Sequence, residues 1–180
     1  MNIVTIGRGR IGGGLARLWR TAGHEVLELG RDGGDASAAD VVLIAVPGAQ
    51  ISAALAGVTG LDGTTAIDAT NVLPRRQGDF ESYAHEVQSI TRGPVAKAFN
   101  MNFAALYDEV ARQRVRPSNW YVSDPEVREV TEQLIRDAGY DPVRLGDLSR
   151  ARELENTVWL LMSAQPVGGV FYRFARPGEL

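Results

Sequence analysis

The 180-residue chain has no cysteine and only two histidines. The first absence excludes disulfides, thiolate zinc sites and thiol nucleophiles together. The second leaves little imidazole chemistry: neither His24 nor His85 has an evident orienting partner, and both are expected at the surface. Long apolar runs are missing too. No stretch approaches the roughly 20 residues of a membrane helix, and the N-terminus reads as a strand rather than a signal peptide. A basic excess is also lacking. With 19 Lys and Arg against 22 Asp and Glu, a net charge of −3 and a pI near 5.4, the chain suits neither general nucleic-acid binding nor a basic membrane surface. A cytoplasmic enzyme or binding protein fits, and 44% hydrophobic residues suffice for one buried core.

What is present begins at the N-terminus. The apolar run MNIVTI breaks into Gly7-Arg8-Gly9-Arg10-Ile11-Gly12, and Ile11, Leu15, Leu18, Trp19 and Ala22 then follow at helical spacing. With 20 glycines in the chain a bare three-glycine pattern means little; its position between strand and helix makes it the dinucleotide-binding fingerprint. Gly7 allows the tight turn, Gly9 lets a pyrophosphate approach the backbone, and Gly12 lets the helix pack closely on the strand. The phosphates would then lie on free N–H groups at a positive helix end.

Gly23 closes that helix as a left-handed cap, and Glu25 to Leu29 reads as the second strand. The residues after this strand select the cofactor: an acid bonds the ribose 2′-OH of NAD, whereas an arginine accommodates the 2′-phosphate of NADP. Arg31 stands there and Arg8 is a second cation within reach, so NADP is favoured, with Glu28 and Asp32 dissenting. Ala39 to Pro47 reads as a central parallel strand, Gln50 to Leu55 as a short helix and Thr65 to Thr70 as the next strand. Ligands lie beyond the carboxyl ends of such strands, which puts Ala45, Val46, Pro47, Thr70 and Asn71 on one rim.

Pro74 to Gly78 is a breaker-rich loop, followed by a modest helix through Phe80, Tyr83, Val87 and Ile90. Pro94 to Phe99 is another strand. Its Lys97 either points into the ligand crevice or pairs with a neighbouring acid. Asn100-Met101-Asn102 follows, then a helix marked by Phe103, Leu106, Tyr107 and Val110. Asn119 to Val122 and Pro142 to Leu145 are the last strands, and Asp124-Pro125 begins the helix between them with an aspartate N-cap. From Asp147 to Met162 the chain reads as one helix with Leu148, Ala151, Leu154, Val158 and Leu161 on a stripe. Its second half is apolar all round, which predicts a homodimer through this region. The expected fold is a Rossmann-type doubly wound, mainly parallel α/β sheet over residues 1–146, with a small C-terminal helical extension over 147–180.

Four segments together resemble a known family: Gly7 to Gly12, Ala39 to Pro47, Val95-Ala96-Lys97-Ala98-Phe99-Asn100, and Ala151-Arg152-Glu153-Leu154-Glu155. They are similar to the compact NADP oxidoreductases that depend on the deazaflavin coenzyme F-420, and to the cytoplasmic reductase domain of the membrane ferric reductases. The resemblance implies hydride transfer between NADP(H) and a deazaflavin or flavin. By position, it implies that Arg8 and Arg31 hold the 2′-phosphate, that Gly9 to Gly12 hold the pyrophosphate, and that Val46-Pro47 and Ala98-Phe99 flank the ribose and nicotinamide.

Ring-to-ring hydride transfer works by positioning and needs no protein nucleophile or metal, so no catalytic side chain is assigned. Asn71, Lys97, Asn100 and Met101 are the residues expected to shape the pocket of a small-molecule redox acceptor. Two alternatives stand: a reductase of small carbonyl or imine substrates, and a non-catalytic NADP-binding sensor or subunit.

Overall fold

Every residue of Ile3–Ile6 and of Val41–Ile44 is buried, and strands of that kind need cover on both faces. The computed structural model describes residues 1–71, 79–163 and 169–179 and shows how the cover is supplied. The strands are β1 (Asn2–Ile6), β2 (Glu25–Leu29), β3 (Gly34–Asp35), β4 (Val41–Ile44), β5 (Val58–Thr59), β6 (Ala66–Asp68), β7 (Val95–Lys97), β8 (Ser118–Ser123) and β9 (Asp141–Gly146). Seven form one sheet in the order β2-β1-β4-β6-β7-β8-β9, while β3 and β5 pair separately. From β2 across to β7 the neighbours are parallel; β8 runs antiparallel to β7, and β9 is parallel to β8.

Among the described residues five α-helices, α1 (Arg10–Thr21), α2 (Ile51–Ala56), α3 (Tyr83–Thr91), α4 (Arg128–Asp137) and α5 (Ala151–Ser163), cover the two faces. Alternation along the strands sorts the side chains. Val4, Ile6, Val42 and Ile44 join one core with Leu55 of α2, Val87 of α3 and Leu154 of α5. Ile3, Val41 and Leu43 join the other, with Leu15 and Trp19 of α1 and Leu134 of α4. The Trp19 indole N–H donates to the Leu134 carbonyl at 2.9 Å and so locks α1 to α4. This is the expected Rossmann-type doubly wound fold. The chain adds β2 on one side of β1 and β4 on the other, so the strand order reverses between β1 and β4, the place beyond whose carboxyl ends sheets of this kind form their ligand crevice.

Several local expectations are corrected. The segment after Phe103 is a 3-10 helix, Ala104–Arg112, because its buried residues Tyr107 and Val110 are three apart and eclipse in that geometry; the Tyr107 ring packs onto α1 at Gly14. Asp124 makes no side-chain cap. Its carboxylate accepts from the Val95 N–H at 2.9 Å and the Gln88 amide at 2.8 Å, and a 3-10 turn at Pro125–Val127 precedes α4. His24 is not a surface residue. It is 8% exposed and its Nε2 lies 2.8 Å from Asp137 at the end of α4, a pairing hidden by 113 residues of separation. His85 is half-buried, with its backbone N–H bonded to Ser82. The Pro74 to Gly78 loop lies outside the described residues.

The segment from Asp147 onward shares the core of the sheet: Leu148, Ala151, Leu154 and Val158 pack against it, with Leu161 at its margin. The other side of α5 faces out, with Trp159, Leu160 and Met162 at 43%, 74% and 44% exposure. Among the described residues no helix is long and apolar enough to cross a membrane.

Candidate functional site

The crevice is built first from backbone. Gly7 leaves β1 with φ +105°, and a Cβ there would lie 2.4 Å from the Ala45 carbonyl oxygen. Its N–H donates to Leu29 O at 2.9 Å, so this one residue is wedged between the ends of β2 and β4. A Cβ at Gly12 would lie 1.7 Å from Gly7 O; only a bare α-carbon lets α1 start this close to the strand. Gly9 has nothing within 4 Å of its Cβ position. It also begins α1 without any side-chain cap, and no acid occupies the first turn. The leading N–H groups of α1 are therefore uncompensated donors at a positive helix end facing open space, a cradle for a pyrophosphate.

The end of β2 adds charge. The Arg8 guanidinium lies 2.7 Å from where a Gly30 Cβ would stand, so Arg8 folds over the end of β2 and fills the space of the missing side chain. Arg10, in the first turn of α1, and Arg31, just after β2, are exposed. Glu28, the acid closest to this point along β2, is already engaged: Arg20 holds it at 2.7 Å. Ala45 and Val46 are half-buried and Pro47 is exposed at the end of β4. Asn71 lies at the end of β6, where its amide N–H donates to Asn100 O at 2.8 Å, and the Asn100 amide returns a longer bond of 3.4 Å to Asn71 Oδ1.

Other expected site residues lie deeper. Ala98 and Phe99, expected to flank the ribose and nicotinamide, are fully buried. The Phe99 ring meets Trp19 edge-on at 5.7 Å, on the α1 face of the sheet. Its φ of +63° is left-handed, a conformation costing a non-glycine residue about 1–3 kcal/mol. Met101 is buried in the opposite core. Lys97 does not point into the crevice: it is fully buried, with its ammonium 2.7 Å from Asp68 and 3.0 Å from Glu155. Pairing explains its burial, since stranding one such charge costs about 3–5 kcal/mol. Burial raises the Glu155 carboxyl above its ordinary value against the pull of Lys97, and the Asp68 charge adds to the rise.

Asp68, Glu155 and Gly30 were missed as parts of this region. Glu155 carried a readable signal, an acid at i+4 from Ala151 and i−3 from Val158, within the arc that α5 buries. Asp68 faces Lys97 directly across β6 and β7, which required strand register. Away from the crevice, a shallow concavity of about 600 Å³ is lined by Glu126, Arg128, Glu132 and Arg144 near the far sheet edge, with Arg128 paired to Glu132 at 3.0 Å.

No family model and no curated protein sequence matches the chain. Solved structures do. A provisional F-420-dependent NADP reductase from Arthrobacter sp. FB24 superposes with a TM-score of 0.81 at 22% identity, over 97% of this chain and 99% of that one. A reductive aminase from Aspergillus terreus, solved with NADPH and ethyl levulinate, gives 0.68 at 15% identity, and an imine reductase from Pseudomonas sp. gives 0.66 at 16%. The match takes in 90% of this chain in both cases, but only 61% and 60% of those longer proteins. At these identities the likeness is one of fold.

Proposed function

We propose that the protein binds NADP(H) in the crevice at Gly7 to Gly12 and serves hydride transfer between its nicotinamide and a flat acceptor of flavin or deazaflavin type. The observation that carries this reading is the Arg8 guanidinium folded into the place of a Gly30 side chain. It sets a cation at the end of β2, where a ribose 2′-phosphate is held in this fold. Arg31 is the second phosphate ligand. The uncapped N-terminus of α1 binds the pyrophosphate, and Ala45, Val46 and Pro47 line the path toward the reacting end. Asn71, with Asn100 bonded behind it, edges the acceptor side. When bound, NADP(H) supplies the hydride; the chain binds, orients and excludes water.

Two neighbours support the reading: the Arthrobacter protein is named as an NADP reductase of the F-420 type, and the Aspergillus aminase was solved with NADPH. The likeness to membrane ferric reductases rests on the sequence motifs alone. The exposed Trp159, Leu160 and Met162 face of α5 is the surface of a homodimer in this proposal.

Fluorescence titration with NADPH and NADH, followed by stopped-flow mixing of the NADPH complex with FMN and with coenzyme F-420, tests it. NADPH should bind at least about tenfold more tightly and be oxidised by one of the two. Equal affinity for both nucleotides refutes the phosphate site. Tight NADPH binding without oxidation by any acceptor makes the protein a sensor.

A further inference from the structure

Helix α5 reaches the carboxyl ends of β6 and β7 through one side chain. Glu155 Oε1 accepts from the Tyr83 backbone N–H at 2.9 Å and lies 3.0 Å from Lys97 Nζ. Lys97 Nζ also donates to Asp68 Oδ2 at 2.7 Å and to Thr70 Oγ1 at 3.3 Å, and Asp68 Oδ1 accepts from the Thr70 N–H at 2.8 Å. The next residue after Thr70 is Asn71, and Asn100 lies a short turn beyond Lys97; these two bond to each other at the rim. Buried charges thus connect α5 to the pair of amides at the edge of the crevice.

Three features separate this from ordinary core filling. Apolar side chains of similar volume often pack as well without the desolvation cost, so a gain in stability does not by itself account for a buried ion set. The turn between Lys97 and Asn100 holds Phe99 in a left-handed conformation, which persists only where the surroundings over-determine it. Asn100 is 3% exposed, and its Oδ1 has no hydrogen-bond partner among the described residues, an acceptor held in place but unused.

We propose that Lys97 and Glu155 are positioning residues: with Asp68 they fix Asn71 and Asn100 in the geometry against which the hydride acceptor is placed. The proposal rests on the hydride-transfer reading above. Neither Lys97 nor Glu155 touches cofactor or acceptor; both act through the two asparagines.

The test compares wild type, Glu155→Leu and Glu155→Gln, with the exposed Glu153→Gln as control. Side-chain amide ¹⁵N–¹H signals of Asn71 and Asn100 report the rim without any ligand, and NADPH affinity and turnover with FMN report its use. Glu155→Leu should broaden or shift both amide pairs and lower kcat roughly tenfold while NADPH affinity stays within about twofold. Glu155→Gln keeps an oxygen for the Tyr83 N–H and for Lys97, and should restore both readouts. Should Glu155→Leu fail to fold, the triple variant Asp68→Asn, Lys97→Met, Glu155→Leu strands no charge and should show the same losses. Unchanged amide signals in a folded leucine variant, loosened amides with normal kcat, or a glutamine variant no better than leucine overturns the proposal. A wild type that oxidises NADPH with no acceptor refutes the hydride-transfer reading and this use of the rim, whereas the amide signals still report whether the tie exists.

Discussion

Arg20 lies 2.7 Å from the carboxylate of Glu28, joining the last turn of α1 to β2. The same guanidinium donates through its other terminal nitrogen to the Val26 carbonyl at 2.7 Å, so both terminal nitrogens are engaged. Glu28 is thereby neutralised on the α1 side of the strand. The Arg8 guanidinium lies over the end of β2 at Gly30, and Arg31 and Asp32 follow the strand as exposed residues.

On the proposed NADP site, removing Arg8 or Arg31 should be selective. Arg31→Ala and Arg8→Ala should each weaken NADPH by about 1.5–3 kcal/mol, as expected for a charge-assisted hydrogen bond, with little change for NADH. Isothermal titration with both nucleotides measures this, and equal losses would show that the arginines do not read the phosphate.

Gly30→Ala probes the same contact from the other side. The added Cβ would lie 2.7 Å from Arg8, and the long arginine side chain can swing away with little cost to the fold. Melting temperature should stay near wild type while NADPH preference falls, and a variant with full preference would remove Arg8 from the site.

Acid stability depends on Glu132. Burial opposes ionisation, yet hydrogen bonds from Tyr121, Arg128 and Arg136 bring this carboxyl down to about 2. A depressed folded-state value stabilises fully above the unfolded carboxyl's 4.5 and is lost as pH falls through about 2. Thermal melts of Glu132→Gln should therefore fall furthest below wild type at neutral pH and converge with it between pH 4.5 and 2; a constant gap across that window would contradict the assignment.

The outer face of α5 predicts association. Leu160 is 74% exposed, so Leu160→Glu should shift stability by no more than about 0.5 kcal/mol while converting dimer to monomer in sedimentation velocity. A wild type that stays monomeric at every concentration would exclude that surface as the interface.

Strand–helix alternation and the glycine loop were legible because each leaves a local signature: buried runs such as Val41–Ile44, and three glycines with separate steric duties. The position of Arg8 over the end of β2 was legible for the same reason, since the glycine loop that carries it adjoins that strand. Lys97 stood between two readings because its partners lie 29 and 58 residues away, on β6 and α5, and periodicity carries no information about which strands neighbour one another. Phe99 was misplaced on the crevice wall because its left-handed turn, which sends the ring down to Trp19, leaves no mark in an aromatic residue's identity. His24 was misread because Asp137 reaches it only through tertiary packing.

The reversal of β8 has a practical consequence for engineering. Running against β7, it brings its first residues to the crevice end of the sheet: Asn119 accepts from the Phe99 N–H, and Asn102 donates to the Ser118 carbonyl. New loop sequence placed before β8, at the exposed Gln113 and Arg114, would be delivered toward the crevice end of the sheet, whereas the same insertion after Ser123 would emerge at the opposite end. Libraries aimed at the crevice belong at the first position.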